Sequence, residues 1–351
     1  MNARMRIDSY ECWTERVPLT RPYTIAYESV DAVELSFVRI TSNGLQGVGS
    51  ASPIPEVTGE SFESCRAALD AAADGVRAGH GAAAVPTTCP AAAAAIDMAL
   101  WDVRARQAGL PLAKLWGQVH LQLPTSITIG IKDTCDEVLD EAREYLGRGF
   151  RHLKIKIGLD LDADIERLVK LRALCGPGVE LCIDANQGFQ ARDLARLERV
   201  VKDLSVSFLE QPLPPSADAD LSAWPTGSLA RLALDESVLN PADAQRLAAD
   251  RRCGIFNIKL MKCGGPSAAR RIAAIADTHR LALMWGCSDE SRLSIAAALH
   301  TAFACPATRY LDLDGHLDLA SEPARGGFLL EDGLLRLTEA PGLGVELERM
   351  A

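Results

Sequence analysis

The 351-residue chain has no long basic run, and its formal net charge is −10. Nucleic acid, whose phosphates are met by clustered lysine and arginine, is therefore not an expected partner. No apolar run approaches the ~18 residues that a membrane helix needs, and "AAAAAIDMAL" is short and broken by Asp97, so no membrane partner is expected. Nothing resembles a secretory leader, because "MNARMRIDSYECW" turns polar before an apolar core forms. None of the ten cysteines forms a C-x-x-C pair, which leaves zinc and dithiol chemistry without support. Free thiols in a reducing cytoplasm are the simplest reading. No G-x-G-x-x-G follows a strand pattern, which removes the dinucleotide cradle of doubly wound sheets. What remains is a globular chain of ordinary composition, 48% hydrophobic and 24% charged, expected in the cytoplasm.

The pattern along the chain divides it. "MRIDSYECWTERV" and "AVELSFVRITSNG" alternate apolar and polar residues, and Asn43-Gly44 signals a hairpin. Helical patterns follow over 61–79 and in "CPAAAAAIDMALWDVRARQAG", with Pro90 near its start and Gly109 as its stop. After about residue 122, eight short apolar runs recur, from "LPTSITIGI" through "HLKIKIG", "ELCIDAN", "SFLEQP", "RLALDES", "IFNIKLM" and "LALMWG" to "TRYLDLD". They lie roughly 24 to 28 residues apart with helical patterns such as "ARDLARLERVVKDL" between them, the period of an eight-stranded β/α barrel. The final stretch, "GGFLLEDGLLRLTEAPGLGVELERM", breaks that period with short strands and turns, and is expected to fold back onto the N-terminal unit.

"RHLKIKIG" carries two lysines on one strand face, Lys154 and Lys156, with aliphatic residues on the other. Such a face belongs either to a wet edge strand or to the inside of a barrel mouth. The other strand ends favour the mouth. Strands three, four and five end in Asp184, Glu210 and Asp235, with Asn186 and Glu236 close behind. Strand six carries Lys259, strand seven leads to Asp289 and Glu290, and strand eight ends in Asp312 and Asp314. Three carboxylates on neighbouring strands, about 4.8 Å apart, repel unless a cation neutralises them, and hard oxygen donors suit Mg²⁺. Strands two and six of eight are diametrically opposite, so Lys156 and Lys259 face one another across that site. Two bases on opposite sides of one carbon are what a racemase or epimerase requires. A lysine with a pKa near 10.4 must be lowered to act at neutral pH, for which neighbouring Lys154 and the metal are the candidates.

These segments, in this order, resemble the enolase superfamily in its muconate-lactonising and mandelate-racemase-like branch. "ALWDVRARQAGLPLAKLWG", "KIKIG", "IDANQGF", "FLEQPL", "LALDES", "NIKLMKCGG" and "GCSDES" carry the resemblance over nearly the whole chain. It implies a (β/α)₇β modified TIM barrel over 122–315, with an α+β capping domain over 1–121 closed by the tail at 316–351. It implies Asp184, Glu210 and Asp235 as ligands of one Mg²⁺ (Mn²⁺ as substitute), Lys156 and Lys259 as the acid/base pair, and Lys154 as a holder of the substrate carboxylate. A homo-oligomer is compatible with it.

Asp312-x-Asp314 in "YLDLDGHL" resembles the Asp-x-Asp of the dipeptide epimerases, where it meets the α-ammonium of the substrate. The expected reaction is inversion of Cα in the C-terminal residue of a dipeptide, through an enediolate. In "RPYTIAYESV", Glu28 stands at about the position where epimerases of Ala-Glu dipeptides carry an arginine. With Glu56, Asp289 and Glu290, it favours a dipeptide bearing Lys or Arg. The alternatives within the superfamily are an N-acylamino acid racemase, an o-succinylbenzoate synthase, an Ala-Glu epimerase and a muconate cycloisomerase. Outside it stand a Schiff-base lyase on a similar barrel and a non-catalytic barrel.

Overall fold

This computed structural model describes residues 5–25 and 28–349, and for 21–25 and 28–30 the backbone alone. β1 (Ser9–Ile25), β2 (Glu28–Ser42) and β3 (Leu45–Ala51) form an antiparallel meander. Asn43 and Gly44, both at positive φ (51° and 77°), make the two-residue turn from β2 to β3. α1 (Phe62–Ala71) follows, its first turn capped by the Ser61 hydroxyl, which accepts from the Ser64 N–H at 3.2 Å. α2 (Pro90–Gln107) starts on a proline and is buried along most of its length. It presses directly on β3, where a Cβ at Gly49 would sit 1.9 Å from the Ala95 carbonyl oxygen, so only glycine permits this approach.

β4 (Leu123–Pro124) leads into the barrel, which runs β5 (Ile127–Ile129), α3 (Cys135–Gly147), β6 (His152–Lys156), α4 (Leu161–Cys175), β7 (Glu180–Asp184), α5 (Leu194–Asp203) and β8 (Leu209–Glu210). It continues with β9 (Leu232–Leu234), α6 (Pro241–Ala249), β10 (Ile255–Ile258), α7 (Pro266–His279), β11 (Ala282–Gly286), α8 (Arg292–Phe303) and β12 (Thr308–Asp312). The eight strands form one parallel sheet in chain order, and a bridge between Thr125 and Leu311 joins its two ends. The connection from β8 to β9 departs from the expected helix. Two 3₁₀ segments, Pro215–Ala223 and Thr226–Arg231, replace it, in a stretch where Pro214, Pro215 and Pro225 remove backbone donors.

β13 (Ala324–Gly326) pairs with β16 (Val345–Leu347), while β14 (Phe328–Glu331) and β15 (Leu334–Leu337) extend a small sheet onto β4. The tail is also fastened to α2. The Asp102 carboxylate, fully buried, accepts from the N–H groups of Leu343 (2.7 Å) and Val48 (3.0 Å) and pairs with Arg106. All ten cysteines are free thiols, as the missing C-x-x-C pairs suggested. No helix among the described residues is long and apolar enough to cross a membrane.

Candidate active site

β6 is an interior strand between β5 and β7, which removes the wet-edge reading of its two lysines. Leu153 and Ile155 pack outward and are fully buried, so Lys154 and Lys156 point into the barrel mouth. Lys156, Asp184 and Glu210 are register partners across β6, β7 and β8, and Asp235 lies just beyond the end of β9. Lys259 follows β10, four strands from β6 in a ring of eight.

Each strand-end carboxylate has one oxygen fastened from behind and one turned toward the lysines. Asp184 Oδ1 accepts from the Asn186 N–H at 3.0 Å, and its Oδ2 lies 3.0 Å from Lys154 and 2.7 Å from Lys156. Glu210 Oε1 accepts from Asn257 Nδ2 at 2.6 Å, and its Oε2 lies 2.9 Å from Lys154. Asp235 Oδ1 accepts from Lys262, and its Oδ2 lies 2.8 Å from Lys259. The backbone is bent to arrange this. Asn186, Gln187 and Gln211, just after two of these carboxylates, all have positive φ. Such strain persists only where neighbours hold it. Gln211 is buried, and its side chain ties β8 to β9 through Leu213 O, Ser237 Oγ and the Asp235 N–H.

The two lysines of β6 divide in their surroundings. Lys154 is almost wholly enclosed, with Asp184, Glu210 and Asp312 all within 3.0 Å. Burial alone lowers its pKa, and the three carboxylates outweigh that and hold it well above the ordinary lysine value. Lys156 has a side chain 14% exposed and reaches Asp184 and, at 2.8 Å, Asn186 Oδ1. The sequence suggested that neighbouring cations lower the catalytic lysines. At Lys259 burial and the Lys154 ammonium pull the pKa down, but the Asp235 carboxylate outweighs them and raises it above the usual range. The lysines are separated by carboxylates, so the dominant neighbour is an anion.

The acids respond in kind. Burial opposes the ionised form of Asp184, and Lys154 and Lys156 overcome it, holding this carboxyl well below the usual range. Lys259 and Lys262 do the same for Asp235. Glu210 is pushed up to about 7 by burial and then by the Asp184 and Asp235 charges. At the rim, burial and neighbouring acids push Asp314 up to about 7 and Asp289 to about 6. Burial takes Glu290 to about 7, where its side chain accepts from the Ser288 N–H. Asp312 accepts from Ser126 Oγ at 2.6 Å as well as from Lys154, and Asp314 accepts from the Thr128 N–H at 2.7 Å. Asp314 therefore does more than cap the following turn, where its side chain makes no capping bond.

Eight carboxyl groups (Asp184, Glu210, Asp235, Glu236, Asp289, Glu290, Asp312, Asp314) face four lysines (Lys154, Lys156, Lys259, Lys262), a formal surplus of four negative charges. Among the described residues no three Cys, His, Asp or Glu side chains are arranged to hold a metal ion, and the point on which Asp184, Glu210 and Asp312 close is taken by the Lys154 ammonium. The donor set nevertheless fits a hard divalent cation. Three carboxylates are pre-oriented with an oxygen inward, the buried Glu210 Oε2 meets only the Lys154 ammonium, and the buried Glu236 Oε2 finds no hydrogen-bond donor.

The specificity candidates separate. Asp289 and Glu290 belong to this cluster, and the Asp289 carbonyl accepts from Ser52 Oγ at 2.9 Å, joining a capping loop to the barrel. Glu56 is exposed on a single helical turn, Pro55–Thr58, and is not joined to the cluster among the described residues. The Glu28 side chain lies outside the described residues. Sequence reasoning passed over Asn257 and Lys262. Asn257 was findable, since it shares the strand face of Lys259 two residues on. Lys262 was not, because the short helix Leu260–Cys263 turns it back into the barrel and breaks the alternation.

Residues 137–351 match the family model described as enolase C-terminal domain-like, and residues 9–117 match that of the mandelate racemase / muconate lactonizing enzyme N-terminal domain. The L-Lys-D/L-Arg epimerase of Methylococcus capsulatus is 51% identical, over 97% of this chain and 99% of that protein. The L-Lys-D/L-Arg epimerase of Desulforapulum autotrophicum is 47% identical over the same shares. A crystal structure of a dipeptide epimerase from Methylococcus capsulatus, complexed with Mg and the dipeptide L-Arg-D-Lys, superposes with a TM-score of 0.92 at 51% identity, over 97% of this chain and 99% of that one.

Proposed function

We propose that this chain, which belongs to the mandelate racemase / muconate lactonizing enzyme family of the enolase superfamily, is a Mg²⁺-dependent dipeptide epimerase acting on dipeptides of Lys and Arg. The observation that carries the reaction is the opposition of Lys156 and Lys259 on strands two and six, with three carboxylates on the strands between them. A substrate Cα held between them has one amine on each face. One takes the α-proton and the opposite ammonium returns a proton to the other face, which inverts the centre. In the reverse direction the two exchange roles. Lys156, the more exposed lysine of β6, is the proton carrier. Lys154, enclosed by three anions, remains an ammonium and offers fixed positive charge beside the substrate carboxylate. Asp184, Glu210 and Asp235 would hold the Mg²⁺, whose bound charge supplies the electrostatic stabilisation that an enediolate requires.

Asp312 and Asp314 stand at the rim to receive an α-ammonium, which an N-acylated amino acid lacks. The formal excess of acids over lysines in the mouth fits the basic preference, since a dipeptide of two basic residues carries a net charge of about +2 near neutral pH. The relatives named for Lys and Arg dipeptides support this choice over Ala-Glu. Incubation with a dipeptide panel in D₂O, followed by NMR, tests it. Deuterium is expected at Cα of the C-terminal residue, fastest for Lys and Arg dipeptides and lost with EDTA. Exchange with no dipeptide overturns the reaction, and a fastest rate on acidic dipeptides overturns the preference.

A further inference from the structure

Two of the three inward-facing carboxylates owe their orientation to side chains that cannot reach a substrate. Lys262 is entirely enclosed and spends its ammonium on protein groups: the Asp235 carboxylate, the Asp235 carbonyl and the Asn257 carbonyl at 3.2 Å. It takes Asp235 Oδ1 from behind while Lys259 meets Oδ2 from the mouth. Asn257 is fully buried on β10 and donates to Glu210 Oε1 at 2.6 Å. With a cation bound Glu210 is ionised and only accepts, which fixes the end of the amide that faces it. The other end, Oδ1, finds no donor and lies against β11, where a Cβ on Gly286 would stand 2.6 Å away. The amide is therefore confined between Glu210 and a glycine. The bond from Lys262 to the Asn257 carbonyl joins the two supports into one network.

We infer that Asn257 and Lys262 are positioning residues that present one oxygen each of Glu210 and Asp235 to the bound cation. This rests on reading Asp184, Glu210 and Asp235 as metal ligands. Neither residue is a base for the substrate, because the donors of Lys262 are spent inside the protein and an amide takes up no proton at neutral pH. Partners of this kind behind metal ligands change metal affinity by about 10- to 100-fold when removed. For Lys262 the sign is informative. If the residue acted only as a nearby positive charge, its removal would tighten the binding of a divalent cation. If it acts by orienting Asp235, its removal weakens it.

The test is Mn²⁺ binding to the full-length chain, followed by electron paramagnetic resonance of the free ion, in the parent, Lys262→Met and Asn257→Ala, with circular dichroism confirming the fold. The expected result is at least about tenfold weaker Mn²⁺ binding in both folded variants, with kcat largely restored at saturating metal. Binding within about threefold of the parent, or tighter binding in Lys262→Met, overturns the inference. Should Lys262→Met fail to fold, Asn257→Ala, which removes no charge, decides alone. Absence of Mn²⁺ binding in the parent would overturn the metal reading itself, whereas unaltered variants beside a binding parent overturn this inference only.

Discussion

His300 joins three parts of the molecule, and its buried position sets a measurable acid sensitivity. It lies in the last turn of α8 with no solvent exposure. Its Nδ1 accepts from the Ala113 N–H at 3.0 Å, and its Nε2 faces the Leu343 carbonyl at 3.3 Å. Only the neutral ring with its proton on Nε2 satisfies both, so the barrel helix α8, the short helix Leu112–Leu115 and the tail meet on one tautomer. Burial lowers its pKa from 6.5 to about 4, against a smaller upward pull from Leu343. The unfolded chain takes up a proton below about pH 6.5 and the folded chain only near pH 4. The stabilisation is therefore complete above pH 6.5 and is lost as pH falls toward 4. At pH 4.5 the difference amounts to about 2.5 kcal/mol from this residue. His300→Asn keeps an acceptor at the δ position and does not titrate. Urea unfolding of parent and variant at pH 7.5 and 4.5 should show the parent's advantage shrinking by about 2.5 kcal/mol. An advantage equal at the two pH values would refute the reasoning.

Other perturbations bear on the site. Asp314→Asn should lower kcat/KM for free dipeptides by about 10- to 100-fold, the worth of one charged hydrogen bond, and leave N-acetylated dipeptides unaffected; equal losses on both would remove Asp314 from ammonium recognition. Gly286→Ala, whose new methyl meets Asn257 Oδ1 at 2.6 Å, should shift the Mg²⁺ activation curve to higher concentration, although Gly286 bears no side chain of its own; an unchanged curve would show that Asn257 yields without moving Glu210. Asp289→Asn should reduce the preference for basic over neutral dipeptides by about 3- to 10-fold in competition assays, in line with the loss of one partly screened charge pair, and an unaltered ratio would place Asp289 outside substrate recognition.

Much of this arrangement was legible in the chain itself. The eight apolar runs are all strands, because a barrel strand buried on both sides leaves a continuous apolar signature that turn residues punctuate. The carboxylates could be assigned because strand ends fall at predictable places in that period. The β8–β9 connection was harder, since its prolines and short polar stretches give no helical period. The electrostatics were the least legible part. Alternation puts Lys154 and Lys156 on one face but does not say that Asp312, from a strand more than 150 residues later, reaches Lys154 at 2.8 Å. That contact decides which lysine is enclosed. Lys262 was hidden for a similar reason, since one turn of helix reverses the direction of its side chain.

The central claim is that Lys156 and Lys259 serve opposite faces of one carbon. The direct measurement is α-proton exchange in D₂O by Lys156→Met and Lys259→Met, each offered two basic dipeptides that differ only in configuration at the C-terminal residue. Each variant should lose epimerisation by at least about 10²-fold yet still exchange the α-proton of one epimer, and the two variants should serve opposite epimers. Exchange of both epimers by either variant, or epimerisation retained after loss of either lysine, would contradict the account.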